Sequence, residues 1–170
     1  IERDDKVYRI IIKTSRPGLV IGRSGEGATK LKQDIDMLLR KLKLTEKPEL
    51  KIDIEEVRSP ESNAAIVGQM VAEGLEKRMP FRRVMKQTVE KVMANRDVEG
   101  VRVILAGRLG GADMARKEEL KKGRVPLQTF RADIDFANER AYLPYGTLGI
   151  KVWIYRGEIF ANRTHENERG

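Results

Sequence analysis

The sequence predicts an α+β fold in two domains, the second built on a mainly antiparallel sheet, and three patterns carry that prediction. Aliphatic and β-branched runs at residues 6–13, 50–54, 101–106 and 150–154 have the two-residue period of strands. Apolar residues at 31–42, 65–75 and 85–93 recur instead at helical spacing. Two long strand-like stretches flank a Pro144-Tyr145-Gly146 turn, which favours an antiparallel hairpin. Pro80 interrupts two helical patterns, and the domain boundary is placed there: domains at 1–79 and 80–160, then a polar tail at 161–170.

In chain order, Ile1-Glu2-Arg3 is read as the stump of a strand and Asp4-Asp5 as its turn. Lys6 to Lys13 follows as a strand, with Val7, Arg9 and Ile11 on one side and Tyr8, Ile10 and Ile12 on the other. Leu31, Ile35, Leu38, Leu39 and Leu42 form one face of an amphipathic helix that Lys47-Pro48 ends. Leu50, Ile52 and Ile54 alternate with charged residues as a half-buried strand. Ser59-Pro60-Glu61 has the form of a helix start, with Ser59 as cap and Ala65, Ile66, Met70, Val71 and Leu75 as the apolar face.

Beyond Pro80 a second helix is expected from Phe81 to Ala94, striped by Met85, Val89, Val92 and Met93. Val101 to Ala106 is a strand, Gly107 to Gly111 a glycine-rich turn, and Ala112 to Lys122 a short helix. Leu127 to Tyr142 is strand-like, with Arg131, Asp133 and Asp135 on one face and Ala132, Ile134 and Phe136 on the other. Ile150, Val152 and Ile154 mark the last strand, opposite Lys151, Trp153 and Tyr155. Residues from Ala161 on lack apolar periodicity and are expected to be disordered.

The stretch Leu19 to Gly27 concentrates chemistry. Gly22-Arg23-Ser24-Gly25 is a glycine-x-x-glycine turn before a helix, where a phosphodiester backbone can approach closely and meet free N–H groups; KH domains clamp single-stranded nucleic acid this way. A Walker loop would need Lys and then Ser or Thr after Gly27, where Ala28 and Thr29 stand. The dinucleotide fingerprint has the glycines in a different order. An ordinary turn and cap fits the same letters.

Lys and Arg exceed Asp and Glu by eight, which suits a polyanionic partner. Residues 80–131 hold thirteen of those cations against six acids. Arg82, Arg83 and Lys86 stand in the first turns of a helix, where the macrodipole disfavours cations by about 0.3–1 kcal/mol each. Phosphate contact explains them, as does shielding of the apolar stripe. Arg108, Arg116, Lys117, Lys121, Lys122, Arg124 and Arg131 extend the field. Gly107 to Gly111 suits either an anion-binding nest or a simple turn. Asp133 and Asp135 suit cross-strand pairing with Arg131 or neighbours better than acid–base catalysis, and Trp153 and Tyr155 suit core or interface better than base stacking. With no Cys and one His, His165, thiolate metal sites and His-dependent triads are excluded. No apolar run spans a membrane and no signal peptide is seen, so a soluble, cytoplasmic chain is expected.

Six motifs then occur in order: Arg16-Pro17-Gly18-Leu19-Val20-Ile21-Gly22, Phe81-Arg82-Arg83-Val84-Met85-Lys86, Gly107-Arg108-Leu109-Gly110-Gly111-Ala112, Gly123-Arg124-Val125-Pro126-Leu127, Arg131-Ala132-Asp133-Ile134-Asp135 and Gly149-Ile150-Lys151-Val152-Trp153-Ile154. Together they resemble the family of the third protein of the bacterial small ribosomal subunit, over residues 1–160. The resemblance implies a type II KH domain followed by the family's own α+β domain. It implies a place on the subunit head, with small-subunit rRNA, mRNA and neighbouring head proteins as partners. It implies no enzyme activity, no cofactor and no small-molecule substrate. It also implies that Arg82, Arg83 and Lys86 face incoming mRNA and take part in its unwinding, that Gly22, Arg23, Ser24 and Gly25 touch RNA, and that Arg16, Arg108, Arg116, Lys117, Arg124 and Arg131 touch rRNA.

Two departures stand out. Family members often carry two Lys between the KH glycines, where this chain has Arg23-Ser24. The chain begins at Ile1, and the family's N-terminal helix and first KH strand are expected to be missing, leaving a sheet with an incomplete edge. Two further function classes remain: a free-standing KH regulatory or ribosome-maturation factor, and a nucleotide-dependent enzyme using Gly22 to Gly27, which the absent Lys disfavours.

Overall fold

Residues 2–3, 7–41 and 49–160 are described by the structure, a computed structural model. The chain divides into two compact units between Ser59 and Pro60.

In the first unit, β1 (Glu2–Arg3) pairs antiparallel with β2 (Val7–Thr14), and β2 pairs in parallel with β3 (Glu49–Glu56), from Val7 opposite Glu49 to Thr14 opposite Glu56. A parallel pair needs a crossover. It is made by α1 (Pro17–Ile21), a tight turn and α2 (Glu26–Lys41). Leu31, Ile35 and Leu39 of α2 are half-buried, but Leu38, expected on the same face, lies on its flank and is 58% exposed. Leu42, the Asp4-Asp5 turn and the Lys47-Pro48 stop lie outside the described residues. Arg9 and Asp53 form an ion pair across β2 and β3.

The second unit is a four-stranded antiparallel sheet in the order β5-β4-β7-β6, comprising β4 (Gly100–Gly107), β5 (Arg116–Gly123), β6 (Ala132–Leu143) and β7 (Gly146–Glu158). Its inner face presents Val101, Val103, Leu105, Leu148, Ile150, Val152 and Ile154, all buried. Two helices cover that face: α3 (Ala64–Glu76) and α4 (Phe81–Met93), the latter through Val84, Met85, Val89 and Val92. The boundary expected at Pro80 therefore falls inside this unit. Helix α3 cannot leave it, because Val67, Val71 and Leu75 complete the same core.

Other expectations need correction. The buried face of α3 is Ala64, Val67, Gly68, Val71 and Leu75, and Ala65 is exposed. Small residues face the sheet because β6 comes close: a Cβ on Gly68 would lie 2.7 Å from Cγ of Glu139. Ser59 does not cap α3, because Pro60–Ser62 forms a separate 3-10 turn and Asn63 takes the cap, its Oδ1 accepting from the N–H groups of Ala65 (3.1 Å) and Ile66 (3.2 Å). The remaining N–H, of Ala64, donates to Asp135 at 2.8 Å, so the first turn is satisfied. Arg156 locks this corner by donating to the Ser62 carbonyl (2.8 and 3.0 Å) and to Asp135 (2.8 Å).

The short helix expected over Ala112 to Lys122 is strand β5 instead. Its Lys- and Glu-rich sequence favours a helix locally, but pairing with β4 from Gly100–Gly123 to Gly107–Arg116 overrides that weak propensity. At the end of this pair a Cβ on Gly100 would lie 1.8 Å from the Arg124 carbonyl oxygen, so only glycine fits. Strand β6 starts at Ala132 rather than Leu127, with a register shift between Ala132 and Ile134. The tail from Ala161 on is outside the described residues.

Helix α3 ends in a Schellman motif. The N–H of Arg78 bonds the Leu75 carbonyl (2.9 Å) and that of Met79 bonds the Gly74 carbonyl (3.2 Å). Arg78 has φ 59°, where glycine is the usual residue. Arg78→Gly is expected to raise unfolding stability by about 0.5–1 kcal/mol, the left-handed penalty less glycine's own entropy. Asn63→Ala is expected to lower it by about 1 kcal/mol. Urea unfolding of each variant checks both signs, and a destabilised Arg78→Gly refutes the first.

Candidate nucleic-acid interface

Gly22, Arg23, Ser24 and Gly25 join α1 to α2, as the glycine spacing predicts. Gly22 has φ 71° and Gly25 φ 81°, and Ser24 between them also sits left-handed at φ 53°. The loop is tight because the helices nearly touch: a Cβ on Gly27 would lie 2.5 Å from the Val20 carbonyl oxygen. Gly25 faces open space. Arg23 and Ser24 are exposed, and Arg23 is the one cation the loop carries. Glu26 occupies the first turn of α2, so the helix dipole is already part-compensated by a carboxylate. Arg16 precedes α1 and is exposed, with its backbone N–H on Oγ1 of Thr14.

Arg83 projects from α4 on the side opposite its buried stripe, whereas Arg82 and Lys86 leave from the flank of that stripe beside β5, and all three are exposed. No side chain caps α4, and its first turn carries no acid. Arg82 lies 3.7 Å from Glu118 and Arg116 lies 3.6 Å from it, and both guanidinium groups stand 5.6 Å from the Phe81 ring centre. Lys86 lies 4.0 Å from Glu90 one turn on. The side chains of Arg82 and Lys86 are each 75% exposed. Such long, solvated pairs contribute about 0–1 kcal/mol, so phosphate oxygens can displace the carboxylates cheaply. Arg83 has no ion pair among the described residues. A groove of about 440 Å³ runs between α4 and β5, lined by Arg82, Lys86, Met85 and Val89 on the helix and by Leu120 and Lys121 on the strand.

The other sequence-predicted cations divide. Lys117 and Arg124 are exposed, and no side-chain ion pair holds them among the described residues. Arg131 lies 3.8 Å from Glu158 and over the Phe160 ring at 5.2 Å. Arg108 is committed to structure: it donates to the carbonyls of Ala112 (2.9 Å) and Tyr145 (3.1 Å) and to Asp113 (3.3 Å). In the adjoining glycine turn, the N–H groups of Gly111 and Ala112 bond back to Arg108 and Leu109, as a chain-reversing turn requires. Asp133 and Asp135 both pair with Arg156, as cross-strand pairing predicts, although through a different Arg from Arg131.

Sequence patterns missed Arg102, which grips Glu119 with two bonds of 2.8 and 2.9 Å and lies 5.2 Å from the Trp153 ring centre. That hydrogen bonding holds the Glu119 carboxyl below its ordinary 4.5, so the pair's contribution is full above that pH and is lost as pH falls through the lowered value. Period two within a strand is the signal that finds Arg102, once the misread β5 is known to be its neighbour.

A family model for the KH domain matches residues 1–62, and one for the C-terminal domain of ribosomal protein S3 matches residues 71–154. A curated small ribosomal subunit protein uS3 of Dinoroseobacter shibae is 48% identical over 169 residues, covering 99% of this chain and 67% of that protein. Those of Alcanivorax borkumensis and Caldicellulosiruptor bescii are 47% and 42% identical, over 99% and 100% of this chain and 70% and 73% of their own lengths. With a KH unit and an S3-type α+β unit in the expected order, the chain belongs to the uS3 family of small ribosomal subunit proteins.

Proposed function

We propose that this chain is a non-catalytic structural protein of the small ribosomal subunit that binds rRNA in the head and presents Arg82, Arg83 and Lys86 to mRNA at its entrance. The observation that carries the mRNA role is the orientation of α4. Burial of Val84, Met85, Val89 and Val92 fixes the helix on the sheet, so these three cations face solvent. The name shared by the relatives supports the rRNA role. Exposed Arg16, Arg23, Lys117 and Arg124 are the contacts best placed to meet RNA backbone, and neighbouring head proteins are the remaining partners.

A fixed row of cations acts without nucleotide hydrolysis. It holds each arriving single strand through its phosphates while translocation pulls the strand past, which biases a hairpin towards its open form. Contacts of this kind act by counterion release and carry little sequence preference.

The test replaces Arg82, Arg83 and Lys86 by Ala. Exposed substitutions change stability within about 0.5 kcal/mol, so the unfolding midpoint is expected to hold. Losing three phosphate contacts lowers the slope of log affinity against log salt for single-stranded RNA by about 2. Ribosomes carrying the variant are expected to stall at stable mRNA hairpins but to read unstructured messages normally; unchanged passage through hairpins overturns the mRNA role. Quantitative mass spectrometry of small subunits washed in high salt tests the structural role. About one copy per subunit is expected, and loss in the wash favours a transient factor.

A further inference from the structure

The outer face of the β5-β4-β7-β6 sheet, turned away from α3 and α4, has the composition of a stacking platform. Residues directly opposite in register share a face. Trp153 therefore lies beside both Arg102 and Phe136, Lys151 beside Ile104 and Asn138, and Tyr142 beside Thr147. On the other side, Lys121 faces Arg102, Glu119 faces Ile104 and Lys117 faces Ala106. Phe136 and Trp153 have ring centres 5.0 Å apart, Phe136 is 51% exposed and Tyr142 is 69% exposed.

The charge on this face is one-sided. Lys117, Lys121, Arg102, Arg140 and Lys151 stand against Glu119, the one acid among the strand residues sharing the face, and Arg102 already neutralises it. The other four cations have no ion pair among the described residues. Ala106 and Gly149, opposite one another, leave the floor between them low. Tyr142 lies six residues from Phe136, about 20 Å along the strand, the span of a few nucleotides. Aromatic faces at intervals, a flat floor and unneutralised cations are what single-stranded RNA needs in order to stack bases while its phosphates are held.

We propose that this face binds single-stranded RNA, with bases stacked on the exposed Phe136 and Tyr142, beside a Trp153 ring that Arg102 and Phe136 flank, and phosphates held by Arg140, Lys151, Lys117 and Lys121. This rests on the RNA-binding reading above, but its aromatic centre is a different surface: Arg82, Arg83 and Lys86 belong to the helical layer that covers the inner face of the sheet, and the two surfaces meet at edge strand β5, where Lys121 also lines the groove beside Arg82 and Lys86. An apolar or acidic protein partner would leave those cations desolvated or would need its own carboxylates, and RNA satisfies both the rings and the charge.

Trp153 is the chain's one tryptophan, so its emission reports on this face alone. The full chain is titrated with a fluorescein-labelled 12-nucleotide oligoadenylate at low salt, following Trp153 emission and oligonucleotide anisotropy together. Saturable quenching that tracks the anisotropy is expected, weaker in high salt and much weaker with a blunt RNA duplex. Tyr142→Ala with Lys151→Ala is expected to weaken the affinity at least fivefold, whereas the Arg82, Arg83 and Lys86 variant still quenches at saturation. Anisotropy rising with no change in Trp153 emission places the RNA elsewhere and overturns the proposal, as do the absence of binding and equal quenching by duplex. Failure here leaves the hairpin experiment on Arg82, Arg83 and Lys86 intact, so the two surfaces are judged separately.

Discussion

Burial of two helical stripes on one sheet face governs the second unit. Val101, Val103 and Leu105 of β4 and Ile150, Val152 and Ile154 of β7 offer a continuous apolar surface, and α3 and α4 are the elements that cover it. Each fully buried Val or Ile contributes roughly 1.5–3 kcal/mol, against less than about 1 kcal/mol for any exposed ion pair on α4. Packing therefore sets the rotation of α4 about its axis, and the cations take whatever direction remains. A basic helix face of this kind needs no interaction of its own to be held outward.

The charge of the chain is less uniform in use than in count. Arg108 and Arg156 spend their guanidinium groups on backbone carbonyls and carboxylates that close corners of the fold. Arg82 and Arg116 share one carboxylate, that of Glu118, and Phe81 beneath them gives both a ring to lie against. Arg83, Lys117 and Lys151 are uncommitted among the described residues. The KH loop is similarly mixed, with backbone geometry suited to close approach by a phosphodiester chain but one cation to hold it.

What the sequence revealed follows physical lines. Strands β2, β4 and β7 and helix α4 carry strong period-two or period-3.6 patterns and were legible in type and near their ends. The glycine loop was legible because positive φ demands particular residues, and the exposed Arg82, Arg83 and Lys86 stood out because they violate a local electrostatic preference. Strand β5 was not legible: Lys and Glu favour helices in isolation, and its pairing with β4, rather than its own residues, makes it a strand. The Asn63 cap and the true unit boundary were hidden for a related reason. Ala64 to Val67 is apolar all round, so nothing local says which side is buried, and the Asp135 carboxylate that completes the cap comes from 71 residues away.

That last contact also orders events during synthesis. The described strand pairings of the first unit lie within residues 2–56, so its sheet needs nothing synthesised after β3. Helix α3 must instead wait for Asp135 and Arg156, with its apolar stripe uncovered until the β6-β7 hairpin is made. At about 5–20 residues per second, that interval lasts several seconds. During it the stripe around Val67, Val71 and Leu75 is a surface that chaperones on the nascent chain have reason to meet.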